Sequence, residues 1–183
     1  EAVRPAPGGA LRVRAAALNH LDLWVRKGVP GVTYPLPIVP GCDGSGVVDA
    51  LGPGVTGISV GQETLLAPGV SCGVCEECAD GLDHFCRRYG ILGENRDGTC
   101  AEHVVVPAAN ILPKPAGLSF EEAAAIPLVF LTAWHMLVER ARVRPGETVL
   151  VHAAGSGVST AGIQIARLLG ARVFATAGSA AKL

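Results

Sequence analysis

"CGVCEECADGLDHFC" (residues 72–86) holds four of the six cysteines in the chain, spaced C-x2-C-x2-C-x7-C at Cys72, Cys75, Cys78 and Cys86. Two-residue gaps let successive thiolates converge on one point about 2.3 Å away, the arm length of tetrahedral zinc. The same gaps suit disulfides poorly, because bridged Cα atoms sit roughly 4.4–6.8 Å apart with opposed Cβ vectors. Gly73 and Gly81 supply the tight backbone that such a loop needs. Four sulfurs close the coordination sphere, so the expected metal is a structural Zn2+ with no open position for chemistry. An iron–sulfur cluster also takes four cysteines, in other spacings, and unliganded buried cysteines are the plain alternative.

Around this loop lies a chain of 183 residues, 49% hydrophobic and 17% charged, which is a globular composition. That length suits one large domain, or one domain and part of another. Fifteen basic and sixteen acidic residues leave a net charge of −1, with no basic run beyond Arg87-Arg88. A nucleic-acid surface needs a basic stripe against the phosphates, and none is expected here. The longest apolar stretch, "AAAIPLVFLTAWHMLV" (123–138), contains Pro127, Thr132 and His135. It falls short of the ~20 residues of a membrane span, so a buried helix and no membrane partner are expected. The chain opens at Glu1 in what reads as a strand-and-turn region, with no targeting segment in view. Reduced thiols that hold zinc point to the cytoplasm.

The first two-thirds reads as short strands between glycine and proline turns. "ALRVRAAAL" (10–18) alternates Leu11, Val13 and Ala15 with Arg12 and Arg14, a half-buried strand. "NHLDLWVRKG" (19–28) reads as a short helix closed by Gly28; "GSGVVDALGPGV" (44–55), "ETLLAP" (63–68) and "GTCAEHVVVP" (98–107) each carry a strand. Many short strands with frequent turns predict a barrel or sandwich. From residue 119 the texture changes. Ser119 with Glu122 three residues on makes a capping box. A helix to Pro127 and a longer one over 128–140 are expected. "TVLVHA" and "ARVFATA" then read as buried parallel strands around a helix whose inner face carries Ile163, Ala166 and Leu169, ending at Gly170.

"HAAGSGVST" (152–160) falls between the first of those strands and the helix. Backbone N–H groups and a helix N-terminus there can hold a pyrophosphate, which makes Gly155, Ser156, Gly157 and Val158 cofactor-binding candidates. A close helix–strand crossing would also explain the glycines. An NAD site usually ends its second strand near an acidic residue for the ribose 2′-hydroxyl. Here the chain reads "ATAGSAAK", without a carboxylate. Gly178, Ser179 and Lys182 are therefore read as meeting a 2′-phosphate, favouring NADPH over NADH. An ordinary exposed lysine is the alternative at Lys182.

Taken together, the zinc loop, "GCDGSGVV" (41–48), "GTCAEHVVVP" and "AAAIPLVFLTAWHML" before "GSGV" resemble the medium-chain dehydrogenase/reductase superfamily. Within it the chain is most similar to quinone oxidoreductases and zinc-binding alcohol dehydrogenase-like proteins. The resemblance implies an α/β architecture: a GroES-like β-barrel domain over residues 1–118 that carries the structural zinc loop. Residues 119–183 would then supply interdomain helices and the start of a Rossmann doubly wound domain, with hydride transfer in the cleft between the two. It implies zinc on Cys72, Cys75, Cys78 and Cys86, and a homodimer for the full-length protein. Only two Rossmann strands are present where six are expected, so a chain truncated at both ends is expected, and the fragment itself is expected to be weak or inactive.

Departures from the family sharpen the reading. Zinc-dependent alcohol dehydrogenases hold a catalytic zinc with a cysteine after the first barrel strand, a histidine in a G-H-E motif and a cysteine on the interdomain helix. This chain has Asn19, Cys42 and Leu128 at those places, which do not make a zinc site. Asn19 followed by Asp22, and Asp43 instead of glutamate, resemble the zinc-free quinone oxidoreductases. The resemblance thus implies hydride transfer to a quinone or enone without catalytic zinc. It gives Asn19 as a donor to the acceptor oxygen, Asp22 as an orienting residue and Thr132 as the nicotinamide contact. Trp24 and Cys42 become pocket residues, Cys42 as an inert thiol. Each has a plainer reading: a packing hydroxyl for Thr132 and a core ring for Trp24. His20 is read as a surface histidine. Ser159 stands where the family often has the glycine that closes the turn. The competing enzyme is an alcohol dehydrogenase acting on an alcohol or aldehyde, with an atypical zinc site at Cys42, Asp43 and His20. A non-catalytic zinc-stapled binding module is the third reading.

Overall fold

Leu11 is buried and Val13 half-buried while Arg12 and Arg14 are exposed, so period-two alternation pins β1 (Gly8–Ala17) with one face inward. This computed structural model describes residues 8–182; the strand-and-turn opening expected at residues 1–7 lies outside them. Next along the chain come β2 (Asp43–Leu51), β3 (Glu63–Leu66), β4 (Gly69–Val70), β5 (Gly90–Ile91), β6 (His103–Pro107) and β7 (Ile111–Pro113). Five of these form an antiparallel sheet of order β6-β1-β2-β3-β7. Register shifts at Ala10/Leu11 and Val13/Ala15 bend β1 and curl the sheet around its core. That core is Leu11, Val48, Leu66, Val70, Leu92, Val104, Val106 and Ile111. The four-cysteine loop hangs from the short β4–β5 ladder, where Gly69 faces Ile91 and Val70 faces Gly90.

Helix α1 (His20–Lys27) follows β1 and stops at Gly28, whose φ of 79° suits glycine. The short α2 (Glu76–Ala79) lies inside the cysteine loop. At α3 (Phe120–Ala124) the capping box forms as read: Ser119 N–H donates to Glu122 Oε2 at 2.8 Å, and Glu122 N–H donates to Ser119 Oγ at 3.1 Å.

The chain divides into two compact units, Glu1–Pro127 and Leu128–Leu183. This break falls later than the expected 118/119 boundary because α3 belongs with the sheet. Ser45 Oγ donates to the Phe120 carbonyl at 2.6 Å, and the Arg14 and Lys114 cations lie 5.3 and 5.4 Å from the Phe120 ring centroid.

Within the second unit, α4 (Pro127–Trp134) runs on into a π-helical stretch, His135–Arg140. β8 (Thr148–Val151) and β9 (Arg172–Ala175) pair in parallel, joined through α5 (Gly157–Leu168). This strand–helix–strand unit is a parallel βαβ, the repeating element of a Rossmann fold. Two sequence expectations change here. The inner face of α5 is Ala161, Gly162, Ile165 and Ala166, with Ile163 only half-buried. That face packs toward Ala133 and Leu137, and a Cβ on Gly162 would meet them at an ordinary contact distance of 3.9–4.0 Å. The strands are also not buried on both faces. Leu150 is 58% exposed and Phe174 49%, since among the described residues the sheet has two strands, with α5 the main helix packed on it. Among the described residues no helix is long and apolar enough to cross a membrane.

Candidate functional sites

Four sulfurs meet in the loop. The Sγ atoms of Cys72, Cys75, Cys78 and Cys86 all lie within 4.8 Å of one another. Cys75–Cys78 is 3.4 Å and Cys72–Cys78 is 3.9 Å. A tetrahedron with 2.3 Å zinc–sulfur arms has edges of about 3.8 Å, so the donor set fits zinc in kind and in size. Backbone N–H groups of Cys72 and Arg88 each point at Cys86 Sγ from 3.4 Å, as donors to a thiolate should. The Cys72 thiol is drawn below its ordinary value, first by the backbone N–H of Val74. Burial works to raise Cys78, but hydrogen bonds from Cys75 and the Gly73 backbone bring it down on balance. No other group of three or more histidine, cysteine or acidic side chains gathers in this way among the described residues, including Cys42, Asp43 and His20.

A second polar cluster lies where β1, α1 and the turn before β2 meet. Asp22 is 9% exposed, and both of its oxygens accept from backbone: Oδ2 from Asn19 N–H at 2.7 Å, Oδ1 from Gly41 N–H at 2.9 Å. It therefore ties the start of α1 to the Gly41–Gly44 turn. That turn packs against Thr99 and Cys100. Thr99 Oγ1 donates to the Asp43 carbonyl at 2.7 Å, and a Cβ on Gly41 (φ 98°) would fall 2.6 Å from Thr99 Oγ1 and 2.8 Å from Cys100 Sγ. Asn19 Nδ2 donates to Asp43 Oδ2 at 2.9 Å and to Cys42 Sγ at 3.3 Å. Asn19, Asp22 and Cys42 thus lie together, and Asp43 joins them. As folded, both amide hydrogens of Asn19 are engaged, one of them by a weak sulfur acceptor. Cys42 is fully buried, and its thiol is pushed up to about 12 by burial and by the charges of Asp43 and Asp22. Trp24 is 53% exposed instead of core, tilted 6.1 Å from the His20 ring.

In the second unit the glycine turn opens α5. Ser156 is its N-cap, its Oγ accepting from Ser159 N–H at 3.2 Å. Ser159 is used rather than tolerated: its Oγ donates to the His152 carbonyl at 2.8 Å, and Thr160 Oγ1 donates to the Ala154 carbonyl at 3.1 Å. Ala153 holds a φ of 54°, letting the chain turn sharply off β8. Gly155, Ser156 and Gly157 are exposed and Val158 is half-buried. A Cβ on Gly157 would fall 3.0 Å from Val129 Cγ1, so a side chain there would have to press Val129 back by a few tenths of an ångström. Gly178, Ser179 and Lys182 are exposed beyond β9, and Lys182 Cβ would lie 3.7 Å from a Cβ on Gly155. The His152 Nδ1 to Thr176 Oγ1 hydrogen bond, 2.9 Å, ties the ends of the two strands. Nothing in the local pattern signals it. Thr132 is half-buried on α4.

Residues 9–116 match the family described as the alcohol dehydrogenase GroES-like domain. The chain is 37% identical over 180 residues to a zinc-type alcohol dehydrogenase-like protein of Schizosaccharomyces pombe, covering 97% of this chain and 50% of that one. A crystal structure of an NAD-dependent alcohol dehydrogenase superposes with a TM-score of 0.93 at 64% identity, covering 98% of this chain and 53% of that one. The enoyl reductase CurK matches with a TM-score of 0.76 at 28% identity, covering 100% and 49%. The chain thus spans about half the length of these relatives. With its curled antiparallel sheet, sulfur cluster and glycine turn, this chain belongs to the alcohol dehydrogenase GroES-like family, within the medium-chain dehydrogenase/reductase superfamily.

Proposed function

We propose that this chain serves an oxidoreductase that uses NADPH to reduce a quinone or an α,β-unsaturated carbonyl, with zinc confined to the four-cysteine loop. The observation that carries this reading is the pair of bonds on Asn19 Nδ2. The bond to the Asp43 carboxylate is charge-assisted, and the bond to the Cys42 sulfur is weak. A substrate oxygen can take the hydrogen held by sulfur at little cost. Asn19 then polarises the acceptor by hydrogen bonding where a zinc-dependent relative would use a Lewis acid.

When bound, NADPH supplies hydride to carbon, and the substrate takes a proton from solvent. The start of α5 would receive its pyrophosphate, because the first N–H groups of a helix have no intrahelical acceptor and favour an anion. Ser179 and Lys182 would meet the 2′-phosphate, and Thr132 the nicotinamide. A small-molecule substrate, a cytoplasmic setting and a homodimer complete the proposal.

NAD-dependent alcohol oxidation is the second reading, favoured by the 64% identity to a structure so described. One experiment separates the two: zinc stoichiometry of the full-length protein alongside NADPH and NADH oxidation with 1,4-benzoquinone. One tightly held zinc per chain and a preference for NADPH are expected. Two tightly held zincs with NAD-dependent alcohol turnover would overturn the first reading.

A further inference from the structure

We infer that Asp43 is a positioning residue that sets which way the Asn19 carboxamide faces. An asparagine amide has an acceptor end and a donor end of nearly equal shape, and only its partners decide between them. Asp43 is 1% exposed, and its carboxylate Oδ2 lies 2.9 Å from Asn19 Nδ2. An ionised carboxylate only accepts, so this contact selects the orientation with nitrogen toward Asp43 and leaves the second N–H on the Cys42 sulfur.

Asp43 is itself fixed. Its backbone carbonyl accepts from the buried Thr99 hydroxyl at 2.7 Å. Two residues earlier, the Gly41 amide is held by Asp22. The glycines on either side leave room for this: a Cβ on Gly44 would fall 2.8 Å from Thr99 Cγ2, just as one on Gly41 would strike the Thr99 hydroxyl. The cluster therefore has a direction, from the rigid Thr99 wall through Asp43 to Asn19. Without Asp43 the carboxamide can flip and present its oxygen, which repels a substrate oxygen instead of polarising it.

The inference rests on the proposed role of Asn19 as a donor, and its test separates the two. In the full-length protein, Asp43→Ala, Asp43→Asn and Asn19→Ala are compared alone and in combination, with NADPH and 1,4-benzoquinone. Asp43→Ala is expected to lower kcat on the order of 10–100-fold, the usual consequence of a misplaced catalytic group, with KM for NADPH unchanged. In the Asn19→Ala background it should cost little more, because its effect passes through Asn19. Asp43→Asn is nearly isosteric and keeps an acceptor oxygen, so it should recover part of the loss. Equal losses from Asp43→Ala in both backgrounds would overturn the inference.

A second readout does not depend on turnover. The side-chain amide protons of Asn19 should give exchange-protected NMR signals displaced from free-amide positions, and in Asp43→Ala these should move toward free-amide positions and exchange faster. Unaltered signals would overturn the positioning role. If the unmodified protein turns over no acceptor with either nicotinamide nucleotide, the functional reading falls and the amide signals alone decide the clamp.

Discussion

Asp22 accepts from Asn19 N–H with one oxygen and from Gly41 N–H with the other, while almost fully buried. Its work is mechanical, joining a helix start to the turn that carries Cys42 and Asp43. Hydrogen bonds to a charged group contribute roughly 1.5–3 kcal/mol each, and Asp22→Ala would also strand the buried Gly41 N–H. A destabilisation of about 3 kcal/mol is expected from urea denaturation; a change below about 1 kcal/mol would refute the staple. Cys42 makes a pH test. Its folded thiol is raised to about 12 from an ordinary 9.0. The folded state therefore keeps a proton that the unfolded state gives up. The associated stability is fully present below pH 9, and is lost progressively as pH climbs toward 12. Denaturation midpoints should fall more steeply over that window in the unmodified protein than in Cys42→Ala. Parallel slopes would show that the buried thiol carries no such linkage.

Among the elements, the cysteine loop depends most on something other than packing. Of its side chains only Cys86 is buried, while Val74, Leu82 and Phe85 are 63%, 46% and 59% exposed. Its neck is a ladder of two residue pairs. With so little apolar burial, metal binding must supply most of the loop's order. Chelation, or Cys78→Ser, should speed hydrogen exchange across residues 72–86 and leave β1 and β2 unchanged. Unchanged protection in the loop would mean that it folds without zinc. This loop was readable in sequence because ligand spacing is a local property. So were the Ser119–Glu122 box, the alternation of β1 and the Gly28 stop. What the sequence concealed is tertiary. The inner face of α5 is decided by what packs on it, Ala161 and Ile165 meeting Ala133 of α4, and not by the apolar pattern alone. β8 and β9 look like buried strands from their apolar runs, but burial depends on what covers them. The pairing of Asn19 with Asp43 spans 24 positions and leaves no periodic trace.

At the scale of the whole molecule, the two units carry unequal cores. The first gathers eight buried aliphatic side chains over a five-stranded sheet. The second has Ala133, Ala161 and Ile165 at its centre, with partly buried neighbours such as Val129, Leu137 and Val158. It also leaves Trp134, Met136, Leu150, Leu168 and Phe174 between 45% and 80% exposed. Small cores leave little margin: below roughly 70–80 residues, apolar burial alone rarely supplies more than about 3–5 kcal/mol. The relatives are about twice as long as this chain, so strands and helices from the rest of such a protein are available to cover β8 and β9. Hydrogen exchange on the 183-residue chain should therefore find amides of β8, α5 and β9 opening at much lower free energy than those of β1, β2 and β6. In a chain of the relatives' length, protection should return to β8 and β9 first, because their exposed side chains gain the most from a covering layer. Equal protection of both units in the short chain would mean that the second unit has a source of stability beyond the small core described here.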